Sequence, residues 1–389
     1  MERSNKKKRC SIFLLISLTL VVIFFFSSYE YSSYFANINN GKTAKSFSDE
    51  NNKNKPATTA SDESTTSGAE KNAKLAFSGA TSNGADTLWI NLLQEGSKLM
   101  KEQGTVSVAM EVGMHRATQS IQAAKMGFQV HGVEPSPPSF KIIESQVANL
   151  DKDIKDRITL HNVAASGAPG VVEFNAGGGT GDSIGGGGAN MWTMTWDKSA
   201  TANQNSNTVQ VQSMRLDDLI SKNISPDTDV WIAKIDVQGF EPFVFDGLSN
   251  SIKNGKIRYI LFEYWPKGMD FMQEVPFDSP DICKAGAKIL ADLASAGYQL
   301  YALGDVVHPH SYSHGQTKQK DLSQFPAESR HDKLKNYRSK KPLDDLNDFC
   351  LWYYQLDKIF PQEDYKMGFW TDVLAVAPNA QLNKAFITR

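Results

Sequence analysis

Residues 106–135, VSVAMEVGMHRATQSIQAAKMGFQVHGVEP, constrain the fold more than any other stretch, because they read as strand, glycine turn, helix and second strand ending in an acid. The apolar run 106–110 suits a strand buried on both faces, Gly113 permits a tight turn, and residues 118–126 can form a helix whose N-terminus faces that turn. Residues 128–133 supply the second strand. Glu134 follows it, twenty-three positions after Glu111. A carboxylate there can accept hydrogen bonds from both hydroxyls of a ribose, so the unit predicts an α/β domain that holds a nucleoside-containing cofactor. The alternative is that Glu111 and Glu134 only cap elements of some other α/β domain.

A dinucleotide fingerprint reads G-x-G-x-x-G, with later glycines that let the backbone approach a pyrophosphate. Here the loop reads Gly113-Met114-His115-Arg116-Ala117, which disfavours a pyrophosphate. Glu111 beside the turn suits S-adenosyl-L-methionine, because an acid there can engage the cationic amino-acid end, directly or through water. Two further apolar strand patterns end in acids: residues 230–236, VWIAKID, and residues 257–263, IRYILFE. Ligands bind at the carboxyl edge of an open parallel sheet, so Glu111, Glu134, Asp236 and Glu263 are expected to converge on one cleft.

In this order the segments resemble the FkbM-type S-adenosylmethionine-dependent methyltransferases, from about residue 106 to residue 303. A first motif similar to D-V-G-A-N-x-G is here Glu111-Val112-Gly113-Met114-His115-Arg116-Ala117, and V-E-P-x-P is Val133-Glu134-Pro135-Ser136-Pro137. T-L-D-D-L is matched by Arg215-Leu216-Asp217-Asp218-Leu219, and K-I-D-V-E-G-x-E by Lys234-Ile235-Asp236-Val237-Gln238-Gly239-Phe240-Glu241. The chain departs from the pattern at Met114 and Ala117, where small residues are usual, at His115 in place of an amide, and at Gln238 in place of an acid.

The resemblance implies a Rossmann-like class I methyltransferase fold, a seven-stranded mostly parallel sheet with helices on both faces. Strands are expected at 106–110, 128–133, 158–163, 230–235, 257–262, 299–302 and 372–377, and helical spacing appears at 140–149 and 280–295. It also implies S-adenosyl-L-methionine as cofactor, held by Glu111, Gly113, His115, Glu134, Pro135 and Asp236. The reaction implied is O-methyl transfer to a small-molecule or glycan hydroxyl. Asp236 and Glu263 are the candidates to orient or deprotonate that hydroxyl, with Glu241 behind them. Asp217 and Asp218 fit the start of a helix. Two alternatives remain open: a non-catalytic membrane-anchored binding module on the same fold, and an NAD-dependent oxidoreductase. Against the latter, Tyr264 and Lys267 are three apart, one short of a Tyr-x-x-x-Lys spacing.

Residues 175–207 form a glycine-rich insertion, NAGGGTGDSIGGGGAN followed by Trp192, Trp196 and a polar run. It lacks the fixed spacing and lysine of a phosphate-binding loop and reads as a spacer or lid. His308, His310 and His314 come without an accompanying carboxylate or cysteine at ligand spacing, so no metal site is assigned there.

The N-terminus bears on location. Residues 1–10 carry five basic and one acidic side chain, and residues 11–28 are uncharged and rich in Ile, Leu, Val and Phe. Eighteen helical residues span roughly 27 Å, enough for a thin bilayer. No small-x-small cleavage site follows, so the segment reads as an uncleaved signal anchor, with a removed signal peptide as the competitor. Residues 29–84, rich in Asn, Lys, Ser, Thr and Gly, read as a disordered stem before a domain at 85–389. Anchor, stem and luminal domain are the plan of a single-pass type II membrane protein of the Golgi or another secretory compartment. The net charge of −2, with +4 of it on residues 1–10, leaves the remainder acidic; no basic stripe interleaved with aromatics suggests a nucleic-acid partner. Of three cysteines, Cys10 lies at the membrane boundary, and Cys283 and Cys350 either pair or stay as separate buried thiols.

Overall fold

The computed structural model describes residues 84–175, 183–184, 189–190, 195–196, 208–276, 278–303, 306–309, 320–321, 342–343, 345–347, 349–351 and 369–383. The expected basic tail, anchor and stem lie outside the described residues, as do most of the glycine-rich insertion and residues 310–314. Among the described residues no helix is long and apolar enough to cross a membrane.

Seven strands carry the fold: β1 Val108–Val112, β2 Gln129–Val133, β3 Ile158–His161, β4 Val230–Ile235, β5 Ile257–Tyr264, β6 Gln299–Ala302 and β7 Phe369–Val376. Their order is β3-β2-β1-β4-β5-β7-β6. The first five are parallel, and β7 runs antiparallel to both β5 and β6. Short strands Val306–Pro309 and Lys320–Asp321 extend the sheet to nine. The chain winds outward from β1 to β3, then returns to β4 on the other side of β1. That reversal falls at the carboxyl ends of β1 and β4, the place where open α/β sheets bind ligands.

Several boundaries differ from the sequence expectation. The first strand begins at Val108, since Val106 is 57% exposed, and it runs on through Glu111 and Val112. The fifth extends through Glu263 and Tyr264 because β7 pairs along its whole end, Glu263 opposite Asp372 and Tyr264 opposite Thr371. The third stops at His161, after which Ala164–Ala165 joins a second sheet with Gly170–Asn175, Ser183–Ile184 and Thr208–Met214. The helix expected from 140 begins earlier: α3, Pro137–Ala148, uses prolines in its first turn and Ser136 as its cap. The helix expected from 280 begins at Lys284, because Cys283 before it is left-handed at φ 66.

Helix α1, Gly84–Gln103, lies ahead of every motif and covers one face of the sheet. Leu88, Trp89, Leu92 and Leu93 recur at helical spacing and are fully buried against Ala109, Val130, Ile232, Tyr259, Leu261 and Leu374. Trp231 Nε1 donates to Leu92 O at 2.8 Å, pinning α1 to β4. Helix α2, Thr118–Lys125, shares this face through Ala123 and Ala124. On the other face α4, Leu216–Asn223, and α5, Glu241–Gly247, pack; Phe245 meets Phe262 edge-on at 4.9 Å. Asp217 serves structure, accepting from the amides of Asn250 and Ser251 at 3.0 and 2.9 Å. Cys283 and Cys350 are joined as a disulfide, which resolves the open choice between pairing and separate thiols.

Candidate active site

The turn after β1 brings three backbone positions into the left-handed region: Gly113 at φ 94, His115 at φ 44 and Ala117 at φ 53. Helix α2 has no side-chain cap of its own. Its missing cap comes from the strand, where Glu111 Oε2 accepts from Ser120 N at 2.7 Å. Glu134, fully buried after β2, accepts from His115 N at 3.1 Å with one oxygen and from Ser136 N at 2.8 Å with the other. One carboxylate thereby ties the loop after β1 to the loop after β2. Asn162 braces the same loop by donating to Glu134 O and Pro135 O at 2.8 and 3.2 Å. Gly132 is needed beneath this turn, since a Cβ there would lie 2.3 Å from Met114 Sδ. The unusual methionine of the turn is thus accommodated by packing over a glycine of β2.

Along the face under α1, the apolar rows give way at the carboxyl edge to charge. Glu111 and Lys234 are register partners on β1 and β4, and Asp236 follows two residues after Lys234. Lys234 Nζ lies 3.0 Å from Asp236 Oδ2, and Gln238 Nε2 donates to Asp236 Oδ1 at 2.7 Å. Gln238, where an acid was expected, therefore orients Asp236 instead of adding a charge beside it. Glu241 accepts from Val237 N and Gly239 N at 3.0 and 2.8 Å, so both its oxygens hold the turn together. Glu263 is 7% exposed, and its Oε2 has no hydrogen-bond partner among the described residues. The structure thus brings Glu111, Asp236 and Glu263 onto one face, with Glu134 and His115 on the adjoining turn and Glu241 beneath the next.

Sequence reasoning passed over three residues of this cluster. Lys234 was read only as part of a motif. Asp372 sits opposite Glu263 in the antiparallel ladder, and Asp86, in the first turn of α1, reaches Gln119 Nε2 at 3.4 Å and the fields of Lys234 and Asp372. A usable signal for Asp372 was an acid inside the otherwise apolar strand FWTDVLAV.

Burial drives the titration of the cluster. It pushes the Glu111 carboxyl up to about 7 against the pull of Lys234 and the bond from Ser120. Burial also lifts Asp372 to about 7 and Glu241 to about 8. Glu263 is driven well above the carboxylate range by burial and by Asp236, Glu241 and Asp372. Burial depresses Lys234, but Asp236, Asp86 and Glu111 more than offset it and hold the ammonium above its ordinary range. His115 is lowered by burial and by Arg116. For a carboxyl raised on folding, the native state binds more protons than the unfolded chain between the two pKa values, so stability falls as pH rises through that window. Urea unfolding should therefore show the contribution of Glu111 and Asp372 declining between about pH 4.5 and 7. Glu111→Gln should flatten the slope; an unchanged slope would show that Glu111 titrates normally.

A shallow depression lined by Gln94, Ser97, Lys98, Lys101, Glu102 and Met126 lies at the far end of α1, against the end of α2, and holds none of these groups.

Residues 111–300 match the family model described as the methyltransferase FkbM domain. No curated protein matches the chain. Among solved structures, precorrin-6y C5,15-methyltransferase from Geobacter metallireducens GS-15 is 10% identical, over 72% of this chain and 88% of that one, with a TM-score of 0.27. The glycopeptide N-methyltransferase MtfA complexed with S-adenosyl-L-homocysteine is 11% identical, over 44% of this chain and 47% of that one, with a TM-score of 0.21. The family match begins at Glu111 and takes in the Glu134 loop, the Asp236–Glu241 turn and Glu263; across residues 111–300 this chain is similar to the methyltransferase FkbM domain.

Proposed function

We propose that the domain transfers a methyl group from S-adenosyl-L-methionine to a hydroxyl of a small-molecule or glycan acceptor. The observation that carries this reading is the meeting, at one sheet edge, of a nucleoside-type turn clamped by Glu134 and a buried carboxylate cluster with an unpartnered Glu263 oxygen. An excess of buried acid beside such a turn fits a cationic nucleoside. Glu111, Gly113, His115, Glu134, Pro135 and Asp236 would hold it, Glu134 toward the ribose. When bound, that cofactor supplies an electrophilic methyl group on a sulfonium.

The chain's own residues then position the acceptor. Asp236, 22% exposed and held by Lys234 and Gln238, presents an oriented carboxylate to take the hydroxyl proton. Glu263, driven above the carboxylate range by burial and its acidic neighbours, turns its unpartnered oxygen to the acceptor and orients it. Glu241 acts through the turn it braces.

The proposed location is the lumen of the Golgi or another secretory compartment, with residues 11–28 as a type II anchor. The uncharged segment itself and the Cys283–Cys350 disulfide, a feature of oxidising compartments, support this reading. Protease protection in sealed microsomes tests it; digestion without detergent would overturn it.

The activity is tested by calorimetric titration of the full chain with S-adenosylhomocysteine and, separately, NAD. Micromolar binding of S-adenosylhomocysteine that is lost in Glu134→Ala, with the circular dichroism unchanged, supports the reading and justifies a screen of glycan acceptors. Absence of binding to folded protein would sink it and leave a non-catalytic binding module.

A further inference from the structure

We propose that the carboxylate cluster around Lys234 recognises the cofactor's positive charge, selecting S-adenosylmethionine over its demethylated product, and that Glu263 and Asp372 release a proton as that charge enters. The inference rests on the function proposed above and adds Asp372, which lies outside the family-matched span.

The imbalance of charge is geometric. Asp86 comes from α1, Glu111 from β1, Asp236 from the end of β4, Glu263 from β5 and Asp372 from β7. Against these five carboxylates, among the described residues, stands the ammonium of Lys234. From the neighbouring turns, Glu241 adds a sixth carboxylate to the field, and His115 meets Asp236 but is pushed toward its neutral form. Glu263 and Asp372 face each other across an antiparallel pair, with Cβ atoms about 5 Å apart. Two carboxylates so placed disfavour each other's ionisation, and Lys234, shared with Glu111, Asp236 and Asp86, offsets this only in part, so the pair favours retaining a proton. Glu263 Oε2, more than nine-tenths buried and without a partner among the described residues, marks where a compensating group would sit.

That group is an organic cation. No three of these side chains are arranged to hold a metal ion among the described residues. Strand spacing places the sulfonium: β2, which ends at the ribose-binding Glu134, lies two strands from β4, roughly 10 Å along the edge. A nucleoside anchored at β2 therefore extends past β1 along this edge, its sulfur toward the end of β4 and Asp236, whose field reaches both Glu263 and Asp372. S-adenosylhomocysteine has the same nucleoside and amino-acid groups but a neutral thioether. The difference between the two ligands isolates the sulfonium charge. As the sulfonium enters, the carboxyl O–H of the Glu263–Asp372 pair dissociates and its proton passes to solvent; with the neutral thioether the proton stays.

The test is calorimetry of both ligands on the full chain, in phosphate and in Tris, whose different ionisation enthalpies report protons released. S-adenosylmethionine should release up to about one proton more than S-adenosylhomocysteine at pH 7, and its relative affinity should rise up to about tenfold per pH unit across the window in which the pair titrates. Glu263→Gln and Asp372→Asn, which keep side-chain shape, should each abolish the excess release. Equal proton release by the two ligands in the wild type overturns the inference while leaving the methyltransferase reading intact. Failure of both ligands to bind folded protein overturns that reading, and the inference with it.

Discussion

Lys234→Met should lose about 3–5 kcal/mol of folding stability at neutral pH, the cost of leaving buried charge uncompensated. Lys234 is buried on β4, and methionine keeps the length and most of the apolar stem, so the loss reports charge more than packing. Glu111, Asp236, Asp86 and Asp372 all lie in its field. Without the ammonium the folded-state pKa values of Glu111 and Asp372 rise further above the unfolded ones. That penalty is absent where the carboxyls are protonated in both states and grows as pH rises through the folded values. Urea unfolding should therefore show a smaller deficit at pH 5 than at pH 8. A deficit independent of pH would mean that Lys234 is needed for packing and that the cluster is not organised around it.

Reducing the disulfide, or replacing Cys350 by Ser, should cost about 4 kcal/mol, the loop-closure value for a cross-link between residues 67 apart. The effect should reach the site. Phe349, fully buried beside Cys350, stacks at a tilt on Tyr264 with ring centroids 5.4 Å apart, and Tyr264 directly follows Glu263 on β5. Gly286 makes room for this contact, since a Cβ there would lie 2.9 Å from Tyr264 Oη and 3.2 Å from Cys350 Sγ. Thermal melting with and without dithiothreitol measures the loss, and peptide mapping without reduction checks the bond. No change in melting on reduction would show that the pair stays as thiols in the folded protein.

The two carboxylates Glu241 and Glu263 show how far the chain could be read. Glu263 ends the apolar pattern IRYILFE and Glu241 closes the motif KIDVQGFE, and both were candidates beside the acceptor. Folding gives Glu241 two amides of a turn in which Gln238 and Gly239 are left-handed at φ 55 and 94, whereas Glu263 is left facing Asp372 with one oxygen unpartnered. The Cys283–Cys350 pair was equally undecidable, because a disulfide depends on the approach of two Cα atoms and not on their separation in the chain.

Alternating burial and acid-terminated strands were legible because a parallel strand buried on both faces is apolar along its length and turns polar where it meets the ligand edge. From those local rules the sequence alone determined the α/β class, the turn at Gly113, and acids at the carboxyl ends of β1, β2, β4 and β5. Asp86 and Asp372, nearly three hundred positions apart, entered the cluster only through tertiary structure. A helix ahead of the first motif covers the sheet face, and an antiparallel last strand inserts beside β5. Side-chain charge acts through space and burial, so which acids share one lysine is decided by strand order and register, quantities that no local pattern encodes.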